Sequence, residues 1–145
     1  MAESEAFWAI GSTFEVGDGA TPEVFTPVAE ITKLKPPNQT RDDIKVTHTL
    51  SPDGFHEYIG GWRDGGEVPI EANWLPLNST QDNITGLQSQ FYDNQRHNYR
   101  IVIPDVGYIS LRGYLNAHEP DLDLEKQGML SANIKISGKP TFTET

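Results

Sequence analysis

The chain has 145 residues, of which 36% are hydrophobic, with 13 Gly, 10 Pro and no Cys. That suits one domain rich in turns, with a modest core and neither disulfides nor a thiolate metal site. A formal net charge of −10 has the wrong sign for a nucleic-acid binder, which needs a basic footprint, and neither a secretion signal nor an apolar run of membrane-spanning length is present, so we expect a chain made in the cytoplasm with no membrane partner.

Residues Met1 to Glu5 are polar and acidic, the pattern of a frayed end or of an arm ordered on assembly. Phe7, Ala9, Phe14 and Val16 suggest a strand over Phe7 to Val16, kinked or bulged at Gly11. Gly17 to Pro22 is turn chemistry; its Gly-x-Gly lacks the Gly-Lys-Ser/Thr and following helix of a phosphate loop. Val24 to Leu34 reads as a second strand, ended by Pro36 and Pro37.

Asp43 to Leu50 alternates Ile44, Val46, His48 and Leu50 against polar partners, and Glu67 to Leu75 alternates Val68, Ile70, Ala72 and Trp74 against Glu67, Pro69, Glu71 and Asn73. Both read as half-buried strands, with His48 a hydrogen-bonded core residue. Pro69 lacks a donor, so its position is expected at an edge, a bulge or a solvent-facing group. The 16-residue connection from Ser51 to Gly66 is too long for a simple hairpin turn, and connections of that length are functional or disordered. Phe55, Tyr58, Ile59 and Trp62 within it argue against disorder: they are large apolar groups in need of a covering surface, which points to a docking arm and a neighbouring subunit.

One helix is expected, about residues 79–95, with a narrow apolar stripe of Ile84, Leu87 and Phe91, capped by Ser79 or Thr80 and with Asp82 in its first turn. The alternating segments Asn98 to Ile103, Tyr108 to Ala117 and Met129 to Ser137 make an antiparallel meander with one buried face. Gly113 lies on the apolar side, where a bulge or close approach is expected. Gly138 to Pro140 closes the structured core (6–140), leaving a short polar tail.

Catalytic and metal chemistry have little support. Glu119, Asp121, Asp123 and Glu125 form an acidic loop, but counting from Asp121 the calcium-loop Gly and Glu positions hold Lys126 and Ala132. The histidines at 48, 56, 97 and 118 form no His-x-x-x-His pair, and no Gly-x-Ser-x-Gly elbow exists. Sequons begin at Asn38, Asn78 and Asn83 and read as chance without a secretion signal. We expect no cofactor and no enzyme.

Several segments, in order, resemble the tail tube (major tail) proteins of long, non-contractile-tailed phages, relatives of the inner tube proteins of contractile tails and type VI secretion. They are Gly17–Ala20, Phe25–Glu30, Arg41-Asp42 followed by Ile44–Thr47, Ser51–Gly54, Asp64–Val68, Tyr99–Asp105, Gly113-Tyr114 and Ile134–Pro140. The resemblance implies a mainly β fold, a small β-barrel or β-sandwich with one packed helix and a long aromatic loop (51–66), forming a single tail tube domain over 1–145 without an immunoglobulin-like carboxy-terminal domain. It implies a structural virion protein whose hexameric rings stack into the conduit for DNA ejection. Six subunits giving four strands each make an inner barrel of about 24 strands, with a bore of about 37 Å or more.

Implied partners are further copies of the chain, the tail tip, tape-measure and tail terminator proteins, and passing double-stranded DNA held without specific binding. Arg41, Asp42, Phe55, Tyr58, Ile59, Trp62, Arg63 and Asp64 are the candidates for subunit and ring interfaces. Glu67, Glu71, Glu119, Asp121 and Asp123 are the candidates for an acidic lumen, where carboxylates keep DNA sliding; a solvated sheet face is the plain alternative for Glu67 and Glu71. A monomeric β-sandwich ligand-binding module, or the inner tube of a contractile injection system, are the other readings the sequence leaves open.

Overall fold

The computed structural model of the chain describes residues 3–144; Met1, Ala2 and Thr145, parts of the expected end segments, lie outside the described residues. Eleven elements follow in order: β1 (Thr13–Gly17), β2 (Phe25–Pro27), β3 (Ile31–Leu34), β4 (Thr40–Lys45), β5 (Tyr58–Asp64), β6 (Glu67–Asn73), α1 (Leu87–Tyr92), β7 (His97–Ile103), β8 (Gly107–Asp121), β9 (Met129–Ile136) and β10 (Thr141–Glu144). The fold is mainly β, a sandwich-like sheet with one short helix packed on it.

The principal sheet has eight strands in the path β2-β1-β7-β8-β9-β6-β3, with β10 also paired to β8. The path is open and does not close into a barrel. Its centre is the meander of β7, β8 and β9, where Tyr99 faces Leu111 and Leu115 faces Ile134 across the ladders. Alternation was a true guide here: Tyr99, Ile101, Leu111, Leu115, Leu130, Ala132, Ile134 and Ile136 are buried. Phe14 of β1 stacks on Tyr99 with ring centroids 5.3 Å apart, and Val68 and Ile70 of β6 complete the apolar layer. Gly113 sits where a Cβ would strike the Lys135 carbonyl, the expected close approach; the bulge lies further on, between Leu115 and Ala117.

Pro69 does not break β6, which pairs continuously with β9 from Glu67↔Lys135 to Asn73↔Met129. Its missing donor falls just beyond the last β3 pair, Leu34↔Ile70, and its carbonyl accepts the Lys35 N–H at 3.3 Å.

Other expectations are corrected. The first strand is confined to Thr13–Gly17, and Phe7 to Ile10 are exposed. The second divides at Pro27: β2 pairs with β1, and β3 pairs with β6. The step between them is fixed by Gln81, which is fully buried. Its amide donates to the Ala29 and Asn73 carbonyls, both at 3.0 Å, and accepts the Leu75 N–H at 2.9 Å. The helix shrinks to six residues, Leu87–Tyr92. Asp82 accepts the N–H groups of Ile84, Thr85 and Gly86, and Asn78 accepts that of Thr80, so polar side chains hold the preceding backbone in turns instead. The expected polar tail forms β10, paired to β8 from Thr141↔Ser110 to Glu144↔Gly107.

Candidate assembly surfaces

The Arg41 to Trp74 stretch departs most from its sequence reading. β4 and β5 form a separate two-stranded sheet, so the connection after Ser51 carries a strand, and the expected strand Asp43 to Leu50 is replaced by Thr40–Lys45. The chain leaves the principal sheet through Pro36 and Pro37 and returns through Gly65 and Gly66. At Gly66, with φ of +83°, any Cβ would meet the Asn38 backbone where the two legs cross. The resulting hairpin packs little of its own surface: Trp62 is 86% exposed, Phe55 74%, Tyr58 58% and Ile59 54%. Ile44, paired with Ile59, lies over bare Gly61, forming an apolar face left exposed among the described residues. The face read from sequence as buried, including Val46 and Leu50, is exposed.

Arg41 and Arg63 stand directly opposite each other across the hairpin, an unfavourable pairing of like charges. Arg41 donates through Nε to the Gly61 carbonyl at 3.2 Å. Neither guanidinium has a carboxylate within ion-pair distance among the described residues. Asp42 is exposed beside them. Asp64 instead turns to its own subunit: it accepts the Gly66 N–H at 2.8 Å and pairs with Lys135 at 3.2 Å. Those contacts, the Gly66 N–H first and then Lys135, hold its carboxyl below the usual carboxylate range.

The hairpin tip is locally knotted by polar groups. His48 is exposed rather than buried in a core, and its Nε2 lies 3.4 Å from Glu57. The Ser51 hydroxyl donates to Glu57 at 2.7 Å and accepts the His48 N–H at 3.0 Å. Serine thus bonds to the acid rather than to an imidazole base, so the trio does not assemble a nucleophile.

The acidic candidates converge elsewhere. Cross-strand registers put Glu71, Ser131 and Glu119 in one row, Asn73, Met129 and Asp121 in the next, and Glu67, Lys135 and Tyr114 in a third. Glu67, Glu71, Glu119 and Asp121 therefore share the outward face of the β6-β9-β8 sheet, with Lys33 of β3 beside Glu71. Asn133 donates to Asn116 at 2.9 Å and Asn116 to Glu67 at 3.4 Å, a polar lattice on that face. Glu119 and Asp121 are strand residues, not loop residues as read from sequence; Asp123 lies in the turn beyond.

The four-strand run β3-β6-β9-β8 has an unpaired margin on each side. β3 pairs only with β6. Along β8, β7 covers one edge from Gly107 to Gly113, while β9 and β10 share the other. The first edge is without a strand from Tyr114 to Asp121 among the described residues, and Phe91 of α1 lies against His118 in this half, with ring centroids 6.3 Å apart. Sequence reading found neither margin, because a free edge is a property of pairing and not of composition.

By fold, the chain is similar to a chain in the virion of a native gene transfer agent particle, with TM-score 0.76 and 15% identity over 95% of this chain and 99% of that one. It is similar to a chain in the tail of an empty gene transfer agent particle, TM-score 0.71 and 16% identity over 90% and 95%. It is also similar to a chain in the six-fold symmetrised baseplate of the anti-feeding prophage, TM-score 0.69 and 11% identity over 98% of each. No curated protein matches the sequence. The family model described as "Lambda phage tail tube protein, TTP" matches residues 9–143. With nearly its whole length matched, the chain belongs to the lambda phage tail tube protein family and is a structural component of a virion tail rather than an enzyme.

Proposed function

We propose that six copies close into a ring, that rings stack into a hollow tail tube, and that the outward face of β3-β6-β9-β8 lines its bore. One observation carries this reading: the four-strand face that groups Glu67, Glu71, Glu119 and Asp121 is bounded on both sides by unpaired strand margins. An open edge is a template for another strand, and closure of a ring removes it. Pairing β3 of one copy with the Tyr114–Asp121 margin of the next is a heterologous contact, and a heterologous contact that closes makes a ring. Four strands from each of six copies match the barrel size implied by the family.

Carboxylates on the bore repel the phosphate backbone, so a duplex passes without sticking. Lys33 and Lys135 on the same face lower the net charge there without reversing it. Tip, tape-measure and terminator proteins are the expected further partners. The chain as a whole carries −10, which is consistent with a conduit and not with a DNA anchor. The test is electron microscopy of the concentrated protein. Hollow rods built from six-fold rings support the proposal, and a chain that stays monomeric at high concentration contradicts it.

The exposed hairpin weighs against a self-sufficient ligand-binding monomer. An inner tube of a contractile injection system is the second reading, favoured by the likeness in fold to the anti-feeding prophage baseplate chain over 98% of both chains.

A further inference from the structure

The two unpaired margins differ in what stands on their core side. Along β3 that side opens into a groove of about 450 Å³. Its floor is Ile101 and Ile103 of β7, one wall is Ile31 and Leu34 of β3, and the other is the chain before β1, with Phe7 and Ile10. Phe7 and Ile10 are exposed, so the groove is apolar and open. Along the Tyr114–Asp121 margin, His118 pairs with the buried Ala132 and so points to the core side. There it meets α1: Phe91 lies 6.3 Å from the His118 ring and 5.4 Å, edge-on, from Tyr92. Phe91 is 38% exposed and Tyr92 67%. The His118 Nε2 is buried with no hydrogen-bond partner among the described residues, a polar atom still in need of one.

The margins match in three respects. Each presents unpaired backbone. On the outward face, β3 has the exposed Lys33, and β8 has Glu119 and Asp121. On the core side, β3 has an apolar groove and β8 has two exposed aromatic rings. Leu34 in the groove and His118 beside Phe91 also share one cross-strand row, through Ile70 and Ala132. Groove and rings therefore stand at one level of the sheet. Within a subunit, three strand spacings, about 14 Å, separate β3 from β8. Across a joint between copies the separation is a single spacing of about 4.8 Å.

We propose that the groove beside β3 is the seat for Phe91 and Tyr92 of the neighbouring copy in the same ring. The inference rests on the ring reading and adds a side-chain lock to its strand pairing. The backbone ladder alone does not choose between edges. Two β3 margins brought together would set groove against groove and Lys33 against Lys33, and two β8 margins would set acid against acid. Only the unlike pair fills the groove and places Lys33 beside Glu119 or Asp121. The aromatic rings supply apolar attraction, and the charges at the rim supply specificity.

Because the chain has no Cys, introduced thiols report the contact cleanly. Ala9→Cys marks the groove and Asn94→Cys the end of α1, and both residues are exposed. Assembled rods of the double variant, treated with a short bis-maleimide, are expected to give a denaturing-gel ladder that ends at six copies, and each single variant no ladder. A ladder past six joins the groove to another ring. Rods without a ladder leave the groove empty or filled by the chain's own amino-terminal residues. Either result overturns the inference while the ring reading survives. Tyr92→Ala should leave the melting temperature of the free subunit unchanged and raise the protein concentration needed for rods by about tenfold. Rods at the unmodified concentration, or a fall in melting temperature that puts Tyr92 in its own subunit's core, overturn the inference as well. Failure of the unmodified chain to form rings or rods overturns both.

Discussion

Lys135 Nζ lies 3.2 Å from Asp64 Oδ1, and this pair is where the exposed hairpin is tied to the sheet carrying the acidic face. Lys135 belongs to the row of Glu67 and Tyr114 on that face, so a single side chain links the two surfaces assigned to assembly. The tie is on the surface, and its contribution to global stability is small. Beside it the Ile136 N–H donates to the Gly66 carbonyl at 3.0 Å, so the root of the hairpin is held by both backbone and side chain.

This gives a pH dependence. Asp64 is held below the usual carboxylate range by the Gly66 N–H and then by Lys135. A depressed folded pKa means that the stabilisation is present above the ordinary carboxylate pKa and is lost as pH falls through the lowered one. Protection factors at Gly66 and across β5, corrected for the intrinsic pH dependence of exchange, are expected to fall on acidification into that range while those of the β7-β8-β9 amides hold. Lys135→Met should move the onset to higher pH only in part, because the larger Gly66 contribution remains. An onset identical in the two proteins would contradict the assignment of Lys135.

Gln81→Leu is expected to be among the most damaging single substitutions. The side chain is wholly buried and satisfies three backbone groups, at Ala29, Asn73 and Leu75. Leaving buried backbone groups unpaired costs about 1–3 kcal/mol each, so we expect a loss of at least about 2 kcal/mol in urea unfolding. A loss within about 0.5 kcal/mol, the range of ordinary surface changes, would show that water replaces the amide.

Trp62→Ala should leave the melting temperature and circular dichroism of the free subunit unchanged, because the indole is 86% exposed. Tube growth should stop. A large fall in melting temperature would make Trp62 part of the subunit's own core. The same logic predicts stronger hydrogen-exchange protection of Ser51 to Gly66 in the tube than in the free subunit; equal protection in both states counts against docking.

How much of this was legible beforehand varies with the source of the pattern. β6 to β9 were readable because Val68, Ile70, Tyr99, Leu115 and Ile134 alternate onto one buried face, and burial within a subunit imposes period two. β5 was not readable: Gly60 and Gly61 interrupt its pattern, and Trp62 is 86% exposed, so no burial imposes an alternation there. β10 was missed because Thr141 to Glu144 are all exposed and only Phe142 suggests a strand. The helix was overextended because Ile84 fits the helical stripe, yet it is 84% exposed, and Asp82 has already committed the local N–H groups to a turn. Among the assembly candidates, the exposed aromatics and the Glu67/Glu71 pair were visible. Their meeting with Glu119 and Asp121 on one face depends on strand register across residues distant in sequence.

Glu71→Lys combined with Glu119→Lys tests the acidic bore. Both side chains are exposed in one cross-strand row, so rods should still assemble. They should now retain short duplex DNA in low salt and release it as salt rises, while unmodified rods retain none. Equal retention by the two would place this face outside the channel.

The most direct test of the account is a cryo-electron microscopy map of the polymer formed by the unmodified chain. The account predicts six copies per ring, β3 of each copy beside the Tyr114–Asp121 margin of the next, and Glu67, Glu71, Glu119 and Asp121 facing the channel. A map in which those margins stay unpaired, or in which arginine and lysine side chains line the hole while this face points outward, would contradict it.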